Sequence, residues 1–157
     1  MKYINLAKQK DYYKVKHRWF SASAEISSGV FNIVILEADT PNLNDIIYPK
    51  ELVDDCINQG KPLAVTLDED ENSTNAPEPI KVAGVIERFK WEDNLLIGEV
   101  KLTDTTSGKL CLSLLTSGVK FFPSLHSIAK CNDLGTTISD IDDFIKVRLI
   151  QLKEEGI

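Results

Sequence analysis

Short apolar runs closed by turn residues dominate the sequence, and they predict strands. The clearest run covers residues 30–38, which are rich in β-branched side chains and end at a turn of Asp, Pro and Asn residues. Runs of similar character predict further strands at 12–24, 61–67, 80–91, 95–102, 119–130 and 138–152. Strands therefore account for most of the predicted structure.

Two segments instead place apolar residues at helical spacing. Pro49 stands where the first turn of a helix tolerates proline, and Gly60 follows the last apolar position of that segment. Asp104 and Thr105 offer N-caps to the second segment, and Gly118 lies just past its end. These signals predict two short helices, at 49–59 and 105–117.

The predicted order of elements is β-β-α-β-β-β-α-β-β. Two short helices inserted among many strands favour an α+β fold in which the strands form a mostly antiparallel, closed or curled β-barrel. A length of 157 residues is typical of one domain. We therefore assign 1–157 to a single domain that begins with an N-terminal strand or arm at 1–28.

The apolar pattern also bears on location. No apolar run approaches the ~20 residues that a membrane-spanning helix needs. The N-terminus is basic and polar and lacks the apolar stretch of a secretory signal. We expect no membrane association, and a protein that stays in a cytoplasm or in a particle assembled there.

The charge of the sequence and its pattern of cysteines argue against a nucleic-acid-binding site and a metal site. The net charge is −6, and basic residues cluster only near the N-terminus, so direct nucleic-acid binding is not expected. The cysteines show no CxxC spacing, and His17 and His126 are the only histidines. Zinc requires clustered Cys and His ligands, so we predict no metal, no cofactor and reduced thiols.

Three segments carry a resemblance, in the order expected for one family. Residues 42–49, Asn-Leu-Asn-Asp-Ile-Ile-Tyr-Pro, are similar to an Asn-Arg-Asn-Gly-Arg-x-Tyr-Pro segment. Residues 102–109, followed by Gly-Val-Lys at 118–120, resemble a Leu-x-Thr-Pro-x-Gly-Lys helix and the approach to a nucleophile strand. Pro-Ser-Leu at 123–125 stands where that family has Val-Ser-Ser or Val-Ser-Leu. The sequence thus resembles the prohead core proteases of tailed bacteriophages, which share a fold with herpesvirus maturation proteases, over a core at 30–152.

The resemblance implies Ser124 as the nucleophile and a histidine in a Gly-Glu-Leu-Asp-His-Pro segment after the first helix. Here the matching segment is Val-Thr-Leu-Asp-Glu-Asp at 65–70, so the histidine position is filled by Glu69. A carboxylate with a pKa of ~4.3 is a much weaker base than imidazole, at ~6.5. Loss of one triad member can cost about a millionfold in turnover. The substitution predicts that no residue is catalytic and that Ser124 is a relic.

The resemblance therefore implies a virion or capsid-associated structural protein on a catalytically inactive fold. It would bind capsid or other virion proteins, or copies of itself, and reside in the virion after assembly in the host cytoplasm. We expect Ser124 on a strand close to Glu69. An acidic cluster at the family's active-site edge is a candidate interface with a basic neighbour, although such runs are also found as solvated faces: Asp68, Glu69, Asp70 and Glu71.

Two alternatives remain. The first is an active serine endopeptidase of phage head maturation, with Ser124 as nucleophile and His126 or His17 as base. On a strand, His126 would project to the same face as Ser124, with the Cα atoms ~6.5–7 Å apart. The second alternative is a small cytoplasmic binding module unrelated to phages.

Overall fold

The structure is a computed structural model, and it describes residues 2–5, 29–42, 45–67, 77–119 and 121–151. In sequence order its strands are β1 (Lys2–Asn5), β2 (Val30–Glu37), β3 (Leu63–Leu67), β4 (Val82–Glu92), β5 (Leu95–Leu102), β6 (Phe121–Cys131) and β7 (Ile138–Gln151). Its α-helices are α1 (Lys50–Ile57), between β2 and β3, and α2 (Thr106–Thr116), between β5 and β6. The combination confirms the predicted α+β class.

The strands form one sheet with the order β1-β6-β7-β3-β4-β5-β2. All neighbouring pairs are antiparallel except β3 and β7, which run parallel at the centre. The sheet curls, so that β2 approaches β6, but it stays open. Of the two predicted forms, a closed or a curled barrel, the structure has the curled one, and its sheet is a mixed, open half-barrel. A parallel pair needs a long crossover connection, which β4, β5, α2 and β6 supply here.

Local signals explain α1. The helix begins one residue after Pro49, and the Lys50 backbone N–H donates to Asp39 Oδ1 at 3.0 Å. This bond satisfies one of the donors that every helix start leaves open. Val53 is buried in the core, and the helix ends before Gly60, whose φ is +75°. The observed helix lies inside the predicted range 49–59.

Caps also define α2. Thr105 Oγ1 accepts a hydrogen bond from the Gly108 backbone N–H at 3.0 Å, so Thr105 is the N-cap of the two candidates, Asp104 and Thr105. Gly108 packs directly against the backbone of Thr103, and a Cβ at this position would overlap the Thr103 carbonyl oxygen. Cys111 and Leu115 then bury the inner face of the helix in the core. The glycine of the Ser-Gly-Lys segment is thus required by packing.

The first predicted strand, at 12–24, lies outside the described residues. The first described strand is instead β1, which pairs antiparallel with β6 at one edge of the sheet. The last strand extends to Gln151, close to the predicted limit. Among the described residues, no helix is long and apolar enough to cross a membrane.

The central strands β3, β7 and β6 carry apolar side chains on one face of the sheet and polar side chains on the other. One face belongs to the hydrophobic core, and its side chains align in register across the three strands: Val65, Val147 and Leu125. The adjacent residues on each strand point to the other face because strand side chains alternate. That second face carries the serine of interest.

Candidate functional site

Ser124 and His126 lie on β6 and project to the same side of the sheet. Between Phe121 and His126 the pairing of β6 with β7 is free of irregularities, so the alternation of side chains is intact. The side chains of Ser124 and His126 are fully buried. The predictions that Ser124 lies on a strand and that His126 shares its face are confirmed.

The neighbours of Ser124 across the sheet are Arg148 on β7 and, beyond it, Thr66 on β3. The three residues align perpendicular to the strands, with Cα atoms about 4.8 Å apart from one strand to the next. His126 is matched in the same way by Lys146 on β7. We call this set the polar face, and it consists of Thr66, Ser124, His126, Lys146 and Arg148.

The polar face is buried although every member carries polar atoms. Thr66, Ser124, His126 and Lys146 are each 0% exposed, and Arg148 is half-buried. Within the described parts of the protein, Thr66 Oγ1 and the Nε and Nη1 atoms of Arg148 are inaccessible to water and make no hydrogen bond. Buried polar groups are nearly always paired, so unpaired ones call for an explanation.

The two described residues that share the row with Ser124, Arg148 and Thr66, cannot act as its base. A guanidinium stays protonated in proteins, and a threonine hydroxyl is no better a base than the serine itself. His126 lies along the same strand, so its ring must fold back to approach Ser124 Oγ. The row Thr66–Arg148–Ser124 is therefore a set of donors suited to holding negative charge.

The core side of β6 shows a contrasting polar pair. Ser127 shares a face with Leu125, and its Oγ lies 2.7 Å from the Tyr48 hydroxyl in a buried hydrogen bond. Burial raises the pKa of Tyr48 well above its ordinary value, although the hydrogen bond with Ser127 works in the opposite direction. Tyr48 belongs to the segment 42–49 singled out in the sequence, and it anchors that segment in the core.

Two of the cysteines, Cys56 and Cys111, are not activated. Burial raises the pKa of the Cys111 thiol to about 12. Burial, together with the nearby charge of Asp143, also raises the pKa of Cys56. Thiols react as thiolates, so neither group is poised as a nucleophile at neutral pH. The described residues contain no group of three or more His, Cys, Asp or Glu side chains placed to hold a metal ion.

Several residues predicted from the sequence lie outside the described part of the protein. They include His17 and the acidic residues at 68–71, so the expected proximity of Glu69 to Ser124 and the acidic interface stay predictions. The described residues do place Thr66, two positions before Asp68, in one row with Arg148 and Ser124. We call these three residues the serine row.

Sequence reasoning missed Thr66, Lys146 and Arg148. A signal for two of them was present, because Lys146 and Arg148 alternate with apolar residues in Ile-Lys-Val-Arg-Leu-Ile. This alternation indicates that both cations share one face of a strand. Their position opposite Ser124 follows only from the pairing of β7 with β6.

No protein-family model and no curated protein matches the sequence. Among solved structures, the protein is similar to the capsid assembly protease gp21 of bacteriophage T4, with a TM-score of 0.54 and 15% sequence identity. The match covers 76% of this chain and 80% of that protein. At this level of identity the likeness shows the fold, and it agrees with the prohead-protease-like architecture expected from the three sequence segments.

Proposed function

We propose that the protein is a head-associated component of a tailed phage, built on a prohead-protease-like fold without endopeptidase activity. Two lines of support point to the phage head: the three sequence segments and the structural similarity to a capsid assembly protease. Its partners would be capsid or other virion proteins. Loss of catalysis is a separate part of the proposal and has its own support.

The observation that carries the loss of catalysis is the composition of the serine row. Ser124 is flanked across the sheet by Arg148, and the next residue in the row is Thr66. A serine hydroxyl needs an adjacent base to become a nucleophile near neutral pH. Neither of these two described residues can take its proton. Glu69, at the family's histidine position, would be a poor substitute.

An active serine endopeptidase is the second candidate, and one observation favours it. His126 is buried on the same face as Ser124, two residues away on an unbroken stretch of β6. A histidine base would have to reach Ser124 Oγ to within hydrogen-bonding distance, about 2.6–3.2 Å. The two candidates differ in whether Ser124 reacts.

Serine reactivity provides the test. The purified protein and its Ser124→Ala variant would be treated with a fluorophosphonate probe and also incubated with the capsid proteins of the same phage. We expect equal, background labelling of both proteins, no cleavage of capsid proteins, and co-sedimentation of both with assembled heads. Labelling or cleavage that disappears in Ser124→Ala would establish the endopeptidase instead. Its further loss in His126→Gln would identify the base.

Co-sedimentation tests the other half of the proposal. A protein that fails to associate with heads or with isolated capsid proteins, at low as well as at physiological salt, does not have the proposed role. Charge-driven contacts weaken as salt rises, so the low-salt measurement is the more sensitive one.

A further inference from the structure

We infer that the polar face binds a carboxylate, with Arg148 as the charged donor and Thr66 as the hydroxyl donor. The inference deepens the proposed function, on which it rests, by naming the ligand class of a site that holds a group without cleaving it. The juxtaposition of Thr66, Arg148 and Ser124 on three hydrogen-bonded strands carries it.

Charge is the first reason to expect an anion. Arg148 is a half-buried cation on β7, and its Nε and Nη1 atoms are inaccessible to water. A cation withdrawn from water is costly unless an anion and hydrogen bonds compensate it. Arg148 takes part in none of the ion pairs among the described residues, which join Lys61 with Asp143, Lys90 with Glu92, and Lys109 with Asp104. The guanidinium thus retains capacity for an anion.

The arrangement of donors is the second reason. Nε and Nη1 of Arg148 are shielded from solvent, and no acceptor from the described residues bonds to them. Thr66 Oγ1, one strand away, is equally shielded and has no hydrogen bond there either. Donors on two adjacent strands, about 4.8 Å apart at their Cα atoms, can converge on one small anion. Ser124, on the other side of Arg148, places a second hydroxyl in the row.

The ligand class follows from these donors. A guanidinium is always charged and forms strong, short hydrogen bonds with carboxylates and phosphates. A phosphate monoester carries about −1.5 to −2 charges at neutral pH. A carboxylate carries one and therefore loses less solvation in a buried site. The carboxylate could come from an acidic side chain of a partner protein, from the C-terminus of a polypeptide or from a small free acid, and all three share this chemistry.

The probe for the test is sodium acetate, compared with sodium chloride at equal ionic strength. We expect acetate to raise the Tm of the protein by about 3–6 °C when its concentration is about ten times its Kd. The rise should vanish in Arg148→Leu and shrink in Thr66→Val, which removes only the hydroxyl. Arg88→Leu is the matched control, because Arg88 is an exposed arginine on β4, and it should keep the full rise.

Two peptides distinguish the sources of the carboxylate. One carries a glutamate side chain and an amidated C-terminus, and the other carries only a free C-terminal carboxylate. A Tm that responds equally to acetate and chloride, or an acetate response that survives in both Arg148→Leu and Thr66→Val, overturns the inference. Acetate titration involves neither capsid proteins nor cleavage. A negative acetate result would therefore not affect the conclusion on association with heads. A negative result for association with heads would likewise not affect the acetate result.

Discussion

The two faces of the sheet formed by β3, β7 and β6 are made from alternate residues of the same strands. They differ in the effect that burial of their side chains has on the stability of the fold. The apolar face aligns three aliphatic side chains, Val65, Val147 and Leu125. One residue further along each strand, the polar face aligns Thr66, Arg148 and Ser124. Burial stabilises the first row through the hydrophobic effect. In the second row, each unpaired buried group costs about 1–3 kcal/mol.

Burial and stability are thus separate properties of this sheet. Even the apolar face contains hydroxyls, but there Tyr48 and Ser127 satisfy one another. The polar face leaves Thr66 Oγ1 without a hydrogen bond from the described residues. Buried polar groups are nearly always paired, so Thr66 Oγ1 differs in this respect from the paired hydroxyls of the apolar face.

The apolar face should be the most sensitive to substitution. Leu125→Ala removes a fully packed side chain from the centre of the core and should lower the free energy of unfolding by about 2–5 kcal/mol. Urea denaturation followed by circular dichroism would measure it. Lys130→Ala, on an exposed position of the same strand, should change the free energy by less than about 0.5 kcal/mol. Equal effects of the two substitutions would contradict the assignment of the faces.

The paired hydroxyls of the apolar face should contribute less than its aliphatic row. Tyr48→Phe leaves the buried Ser127 hydroxyl without its partner and should lower the free energy of unfolding by about 1–3 kcal/mol. The double variant Tyr48→Phe/Ser127→Ala removes both polar groups, so it should cost less than the sum of the single variants. Strict additivity in urea denaturation would show that the two hydroxyls do not interact.

The polar face should respond weakly and with the opposite sign. Thr66→Val replaces an unpaired, buried hydroxyl with a methyl group of similar size. In buffer without carboxylates, the variant should be more stable than the parent protein by about 1 kcal/mol, because the cost of burying the hydroxyl is removed. A loss of stability of that size would mean that Thr66 Oγ1 has a bonding partner in the folded protein.

The helices and most strands could be predicted because their signals are local. Pro49 and Thr105 mark helix starts through the backbone chemistry of their own neighbourhoods, and both helices begin within one residue of these marks. Alternation in the last two strands was equally local. It correctly placed Ser124 and His126 on one face of β6.

The rest depends on pairing between distant segments. Alternation does not specify strand direction, so the parallel contact of β3 with β7 was not predicted. Nor does it specify register, which here shifts after His126 because β7 contributes an extra residue. The partners of Ser124 follow from both properties. For the same reason β1 was missed, since its four residues are ordered by pairing with β6 rather than by their own pattern.

The parallel pairing of β3 with β7 also determines at what stage of folding the serine row forms. Its partners are far apart in the sequence, with residue 64 paired to residue 146. Contacts of such long range close late, because the entropy of a large loop must be overcome before they form. A ribosome therefore has to release the strands from β3 to β7 before Thr66 meets Arg148. Truncated or stalled products that end before β7 would lack the polar face, so any binding at this surface depends on the synthesis of β7.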